Sequence, residues 1–342
     1  MQNKEQKKIT LRDIAQAANV STATVSNALN NRPGVSEELR QRIFQTAHQL
    51  GYVRSNGISQ PVIRLIILKR HGYVVTDTPF FAALVEGIEK QCRSQDYELL
   101  ISHFSLNEKE RPDLIRLINT DHAAGLIVLA TEMLMEDLAV LSHARIPIVL
   151  LDSRFFSCPY DRVLINNEEA AFTATTYLIE QGHQQIGYLS SSVMINNFND
   201  RAAGYRCALE RANLPVDDGL KLALEPTLDG SYRDMLRILD RFSRLPTAFF
   251  ADNDIIACGA MKALQEKGIQ IPEKVSIVGI DDMPFCELTQ PRLTTVRVFK
   301  QELGGIAVRR LMDKIEGDPI IQQIAVGTKL VIRDSVCKLQ NR

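Results

Sequence analysis

Three apolar runs in this chain end on a carboxylate or an amide. Asp152 follows Ile-Val-Leu-Leu151, Asp252 and Asn253 follow Ala-Phe-Phe-Ala251, and Asp281 follows Ser-Ile-Val-Gly-Ile280. Runs of this kind read as buried parallel strands, and such sheets bind ligands outside their carboxyl ends. The three places are therefore set to converge. Each acidic residue taken alone also reads as a helix N-cap on a βα turn. Asp281-Asp282 and Asp252/Asp254 have in addition the form of a metal or acid–base pair. Nothing else in the chain supports that form, and no metal is expected.

A second group lies near the start. At about 100° per residue on a helix, Thr22, Ala23, Ser26, Asn27 and Asn30 share one face, and Val25, Ala28 and Leu29 share the other. Short polar side chains on a free helix face can enter a major groove and touch base edges. A plain three-helix bundle with a polar surface has the same pattern.

The elements that would carry these residues follow from caps and periodicity. Thr10-Leu-Arg-Asp13 has the form of a capping box ahead of Ile14, Ala15 and Ala18. Asn19-Val20 breaks that helix, and Ser21 caps a second one running to about Asn30. Ser36, with Glu37 and Glu38 in the first turn, opens a third helix that ends near Gly51. Two helices joined by a tight turn make a helix-turn-helix. Residues 54–61, with Gly57 and Pro61, form a linker. Beyond it the pattern alternates. Strand-length apolar runs occur at 62–68, 98–102, 125–130, 146–151, 185–190, 247–251 and 275–280. Amphipathic helical stretches at 80–95, 110–119, 133–143, 168–181, 200–212, 232–242 and 255–267 separate most of them. That alternation implies an α/β, doubly wound body of two lobes.

Composition bounds the rest. At 342 residues, 45% apolar and 24% charged, the chain is an ordinary globular protein of two or three domains. Residues 1–57 hold eight Lys/Arg against four Asp/Glu, whereas the remainder holds 32 against 37. A basic head on a mildly acidic body is a weak footprint of nucleic-acid binding. No run approaches 18 apolar residues, so no membrane span is expected. Met1 to Thr10 is polar and lysine-bearing, unlike a signal peptide. Cytoplasmic location is the expectation, and the six scattered cysteines fit it as small buried hydrophobes. There is no G-x-G-x-x-G, G-x-x-x-x-G-K-[ST], G-x-S-x-G or H-E-x-x-H, so neither an enzyme nor a cofactor is expected.

Residues Thr10 to Asn30 closely resemble the DNA-binding signature of the LacI/GalR repressor family. Val35-Ser36 and Leu50-Gly51-Tyr52 match later parts of it. Further landmarks run in order through the body: Pro79-Phe-Phe81, Gly182-His183, Arg201-Ala-Ala-Gly-Tyr205, Asp252-Asn-Asp254, Val278-Gly-Ile-Asp-Asp282 and Pro291 to Val296. The resemblance implies a regulator with a helix-turn-helix domain at 1–53, a hinge at 54–61 and a ligand-binding and dimerisation domain at 62–342. That body would be like a periplasmic sugar-binding protein, with lobe one at about 62–164 and 294–325 and lobe two at about 165–293 and 326–342. Its crossovers would fall near 165, 293 and 326. In this reading Thr22, Ala23 and Asn27 face bases of double-stranded operator DNA. Ser21, Thr24, Ser26, Asn30 and Tyr52 position phosphates, and Thr10 and Leu11 also lie on the DNA-binding surface.

The resemblance also adds Arg201, Phe80 and Phe81 to Asp152, Asn253 and Asp281 as effector-binding residues. Arg donates in a fixed fork and Phe can cover the apolar face of a sugar ring, so the implied effector is a sugar or a sugar phosphate. A homodimer on a palindromic operator is expected; the chain ends at Asn341-Arg342 without the leucine-heptad tail of tetrameric relatives. Two departures stand out. Asn27 occupies a position where many relatives have Arg. The linker lacks the leucine that relatives wedge into the minor groove, leaving either Ile58 as the wedge or a tether that does not touch DNA.

Overall fold

Thr10 opens the first helix with its backbone N–H and its hydroxyl both donating to Asp13 Oδ2 at 2.7 Å. The computed structural model describes residues 9–29, 34–50, 60–75, 78–120, 122–241 and 245–339. The chain divides into two units, Met1–Gln60 and Pro61–Arg342.

In the first unit, α1 (Leu11–Ala17), α2 (Thr22–Leu29) and α3 (Glu37–Gln49) enclose a small core of Ile14, Ala15, Ala18, Val25, Ala28, Ile43 and Ala47. Two arginines of α3 complete the other helices. Arg42 Nη2 donates to the Ala18 carbonyl at 3.2 Å and Arg40 Nη1 to the Ala28 carbonyl at 2.9 Å. Cations at helix C-termini satisfy the last carbonyls and complement the helix dipole. Asn30, Tyr52 and residues 54–59 of the expected hinge, Ile58 included, lie outside the described residues.

The second unit holds two six-stranded sheets. The first runs in the order β11-β5-β4-β3-β1-β2, from β1 (Val62–Lys69), β2 (Glu98–Ser105), β3 (Gly125–Leu129), β4 (Ile148–Leu151), β5 (Asp161–Ile165) and β11 (Gln323–Val326). The second runs β12-β10-β9-β8-β6-β7, from β6 (Ile186–Ser191), β7 (Lys221–Leu224), β8 (Ala248–Ala251), β9 (Ser276–Asp281), β10 (Thr294–Val298) and β12 (Thr328–Val331). All pairings are parallel except β10 with β12. Each sheet repeats one doubly wound order, reversing direction between β1 and β3 and again between β6 and β8. At such a reversal the strand ends leave a crevice for ligands.

Helices α4 (Pro79–Ser94), α5 (Arg111–Thr120) and α10 (Lys300–Ile315) serve the first lobe; α6 (Asn167–Glu180), α7 (Asn196–Arg211), α8 (Leu228–Leu239) and α9 (Asp254–Glu266) serve the second. Within the Arg201–Tyr205 landmark, Gly204 lets α7 pass close to α6: a Cβ there would meet the Glu168 carbonyl oxygen at 2.0 Å.

Two expectations need correction. The second crossover does not fall near 293, because Thr294–Val298 pairs with β9 in the second sheet. Lobe one therefore resumes only with α10 at Lys300. The stretch 133–143 is a 3₁₀ segment, Met135–His143, in which Asp137 and Val140 both turn inward at a spacing of three residues.

Candidate effector cleft and DNA-binding helix

On α2 the side chains divide as amphipathic spacing requires. Val25 and Ala28 are buried, Thr22 and Ala23 are exposed, and Ser26 and Asn27 are half-buried. Ser21 caps the helix: its hydroxyl accepts from the Thr24 N–H at 3.0 Å and lies 2.7 Å from the Thr24 hydroxyl. Ser21 and Thr24 thus form one fixed polar pair at the helix start. Thr10 sits at the start of α1, and Leu11 is half-buried against the head core.

In the body, all six residues named from the sequence line one narrow cleft, with about 430 Å³ of empty space when the solvent at its open mouth is included: Phe80, Phe81, Asp152, Arg201, Asn253 and Asp281. Strand ends bring them there. Phe80 and Phe81 come from α4 after β1, Asp152 directly follows β4, Asn253 follows β8, and Asp281 ends β9. The two phenylalanine rings meet edge to face, with centroids 5.0 Å apart.

Arg201, from α7, is the only cationic side chain among the lining residues. It is 3% exposed. Its Nε donates to Asn167 Oδ1 at 2.8 Å, its Nη1 to the Asp252 carbonyl, and its Nη2 to Asp281 Oδ1 at 3.3 Å. These three bonds use three of the five guanidinium N–H groups. Asp152 accepts from the Thr131 hydroxyl at 2.7 Å and from Asn197 Nδ2 at 3.0 Å. Burial pushes the Asp152 carboxyl up to about 6, against the opposing pull of those hydrogen bonds and of Arg201. Burial raises Asp281 as well, with Arg201 and Lys300 opposing it.

Asn253 is the N-cap of α9, its Oδ1 accepting from the Ile256 N–H at 2.9 Å. The capping reading and the cavity reading therefore hold together for this residue. Asp252 and Asp254 take other roles. Asp252 accepts from the Tyr188 hydroxyl at 2.5 Å and the Ser191 N–H at 2.6 Å. Asp254 accepts from the Thr295 hydroxyl at 2.5 Å and the Met283 N–H at 2.9 Å. Asp282 turns away to pair with Arg297 at 2.6 Å and Arg333 at 2.7 Å.

Sequence reasoning missed Thr131, Asn197 and Phe198, which also line the cavity. Thr131 stands two residues past β3, so the strand-end rule that found Asp152 would have reached it. Asn197 was hidden because α7 starts at Asn196, four residues before the expected helix. The reading also missed Glu132. This buried carboxylate accepts from five backbone N–H groups, those of Arg70, His71, Gly72, Val74 and Val75, at 2.8–3.0 Å. It pins the loop after β1 that carries Val74 into the cavity wall.

Comparison with known proteins accounts for both units. Residues 10–55 match the model of bacterial regulatory proteins of the lacI family, and residues 175–336 match that of a periplasmic binding protein-like domain. The chain is 32% identical over 311 residues to the HTH-type transcriptional repressor PurR of Vibrio atlanticus, covering 90% of this chain and 92% of that one. A structure of the transcriptional regulator CelR in complex with cellobiose superposes with a TM-score of 0.73 at 26% identity, over 96% of this chain and 100% of that one. A lac repressor dimer bound to operator and the anti-inducer ONPF gives the same TM-score, at 23% identity over 97% and 100% of the two chains, and shares the fold. Among the described residues no helix is long and apolar enough to cross a membrane. The relatives are repressors rather than enzymes, and this chain belongs with them to the LacI family: it is a DNA-binding transcriptional repressor with a ligand-binding domain.

Proposed function

We propose that this repressor works in the cytoplasm as a homodimer on a palindromic operator and that a hydroxyl-rich effector, a sugar or sugar derivative, controls it from the cleft. The observation that carries the reading is the cavity's polar set. Two carboxylates, Asp152 and Asp281, flank one buried guanidinium, that of Arg201. Carboxylates take hydroxyl donors, the guanidinium takes a hydroxyl or ring oxygen, and Phe80, Phe81 and Phe198 cover apolar ring faces. The negative balance of the lining favours a neutral sugar over a phosphorylated one. The structural neighbour in complex with cellobiose supports the same class.

On the DNA side, Thr22, Ala23 and Asn27 read bases; Ser21, Thr24, Ser26, Asn30 and Tyr52, with Thr10 and Leu11 beside them, set the register on the backbone. The effector shifts operator affinity only by its difference in affinity for the two states of the body. Thermal-shift screening of the full chain against neutral sugars and sugar phosphates, followed by gel retardation on fragments from around its own gene, tests the proposal. A neutral sugar should stabilise the protein and alter retardation. Asn27→Ala should flatten base preference at one half-site position, a loss of about 1–3 kcal/mol there. Stabilisation by sugar phosphates alone would move the effector to the phosphorylated sugars; no stabilisation by any sugar or sugar phosphate, or a tetramer mass in light scattering, would contradict the proposal.

A further inference from the structure

Lys300 is the first residue of α10, a position where a cation opposes the helix dipole. Its surroundings account for it. The ammonium donates to the carbonyls of Asp281, of Asp282 at 3.3 Å and of Val298 at 3.4 Å. All three donors of the ammonium are thereby used. It also sits 5.7 Å from the centroid of the Phe80 ring in the cavity wall. The chain passes at this point from β10 in the second sheet to a helix of the first lobe, so Lys300 stands on the middle crossover and touches both lobes.

The turn it grips is unusual. Asp281 and Asp282 have φ of 119° and 52°, two consecutive non-glycine residues on the left-handed side. Such conformations persist only where surrounding contacts over-determine them. Arg297 and Arg333 hold the Asp282 carboxylate, Thr295 accepts from the Asp282 N–H at 3.3 Å, and Asp254 accepts from the Met283 N–H. The ammonium of Lys300 is the side-chain donor that engages both carbonyls of the turn.

We propose that Lys300 is a positioning residue for the effector cleft: by clamping the carbonyls of Asp281 and Asp282 from the crossover, it aims the Asp281 carboxylate at Arg201 and into the cavity. The proposal rests on the cleft being the effector site, but its test uses no effector and so stands apart from the effector's identity. The charged groups facing Asp281 are Arg201, Lys300 and the carboxylates of Asp254 and Asp152.

The experiment compares full-length wild type, Lys300→Arg and Lys300→Met. The Asp281 carboxyl is followed by carbon-13 NMR, its signal identified by its loss in Asp281→Asn, and amide exchange is mapped by mass spectrometry. Removing the ammonium should raise the proton affinity of Asp281 about tenfold, one pH unit. It should also speed exchange of the amides of 282 and 283 at least about tenfold while the core of β9 keeps its rate. Lys300→Arg, which keeps the charge, should titrate close to wild type. An unmoved Asp281 titration in Lys300→Met overturns the proposal, as does acceleration spread evenly through β9 and α10. Should Lys300→Met fail to fold, Lys300→Gln, neutral but still a donor, is read by the same two criteria.

Discussion

Asn197 Nδ2 donates across the cleft to Asp152 Oδ1 at 3.0 Å and to the Asp152 carbonyl at 3.2 Å, joining the first turn of α7 in one lobe to the end of β4 in the other. Neighbours extend the seam. Asn196 Nδ2 reaches Ser153 Oγ at 3.1 Å, and Arg154 lies 3.6 Å from Asp200. These contacts tie the two lobes together along this edge of the cleft. A hydrogen bond to a charged acceptor is worth about 1.5–3 kcal/mol. Asn197→Ala should therefore weaken effector binding by about 10- to 100-fold. Calorimetry with a sugar found by screening measures this, and an unchanged Kd would mean that the seam plays no part in closure.

Arg201→Ala should lose both the effector response and part of the fold. The change strands Asp281 and leaves Asn167, whose Nδ2 already has no partner, without its Oδ1 donor as well. Removing one partner of a buried ion pair costs about 3–5 kcal/mol, a fall in Tm on the order of 10 °C for a body of this size. Arg201→Lys should restore little, since one ammonium cannot span three acceptors in different directions. Differential scanning fluorimetry reads the stability. Gel retardation at room temperature should still show operator binding, now indifferent to effector.

The pH dependence of stability has a definite sign. Asp152 and Asp252 are each raised to about 6 by burial, above the ordinary carboxyl range near 4. The folded state thus takes up these protons before the unfolded state does. The contribution of these two groups to stability then declines as pH rises from about 4 to about 6 and levels off above that, by up to about 1.4 kcal/mol per pH unit per group; Asp254, raised to about 7 by burial, carries the decline on to about pH 7. Tm measured from pH 7.5 down to 5.5 should rise, and Asp152→Asn should flatten part of that rise. A Tm that falls steadily over that interval would show that these carboxyls titrate normally.

How much of this was legible beforehand depended on local signal. The three head helices could be read from Thr10, Ser21 and Ser36, because caps are short-range chemistry. The strands at 125, 148, 248 and 276 are nearly continuous apolar runs buried on both faces, and the one at 62 is interrupted only by Arg64 before its last residue, so all five stood out. β5, β7 and β10 did not: Asp161-Arg-Val-Leu-Ile165, Lys221-Leu-Ala-Leu224 and Thr294-Thr-Val-Arg-Val298 mix polar residues into four or five positions. Their strand state comes from pairing with partners far along the chain. Missing β10 displaced the second crossover. In the cleft, strand ends pointed to Asp152, Asn253 and Asp281, and resemblance supplied Arg201, Phe80 and Phe81. Glu132 and Lys300 gave no signal, since both act on backbone groups, and backbone groups leave no mark in a sequence.

Glu132 offers a prediction that isolates such a backbone contact. The residue is 1% exposed, and the N–H donors of Val75, Gly72, His71 and Arg70 hold its pKa below the ordinary glutamate value despite burial. The clamp therefore contributes stability above the unfolded pKa, near 4.5, and loses it only as pH falls through the lower folded value. Glu132→Gln keeps the shape but replaces one acceptor oxygen with an N–H₂ group that faces donors. Stranding two or more backbone N–H groups costs on the order of 3 kcal/mol. Amides of 70–75 should exchange much faster in this variant, and Val74 should leave the cavity wall, while the head helices exchange as before. If those amides keep their protection, the loop is held by its apolar contacts, with Val75 the buried anchor, and the carboxylate is incidental.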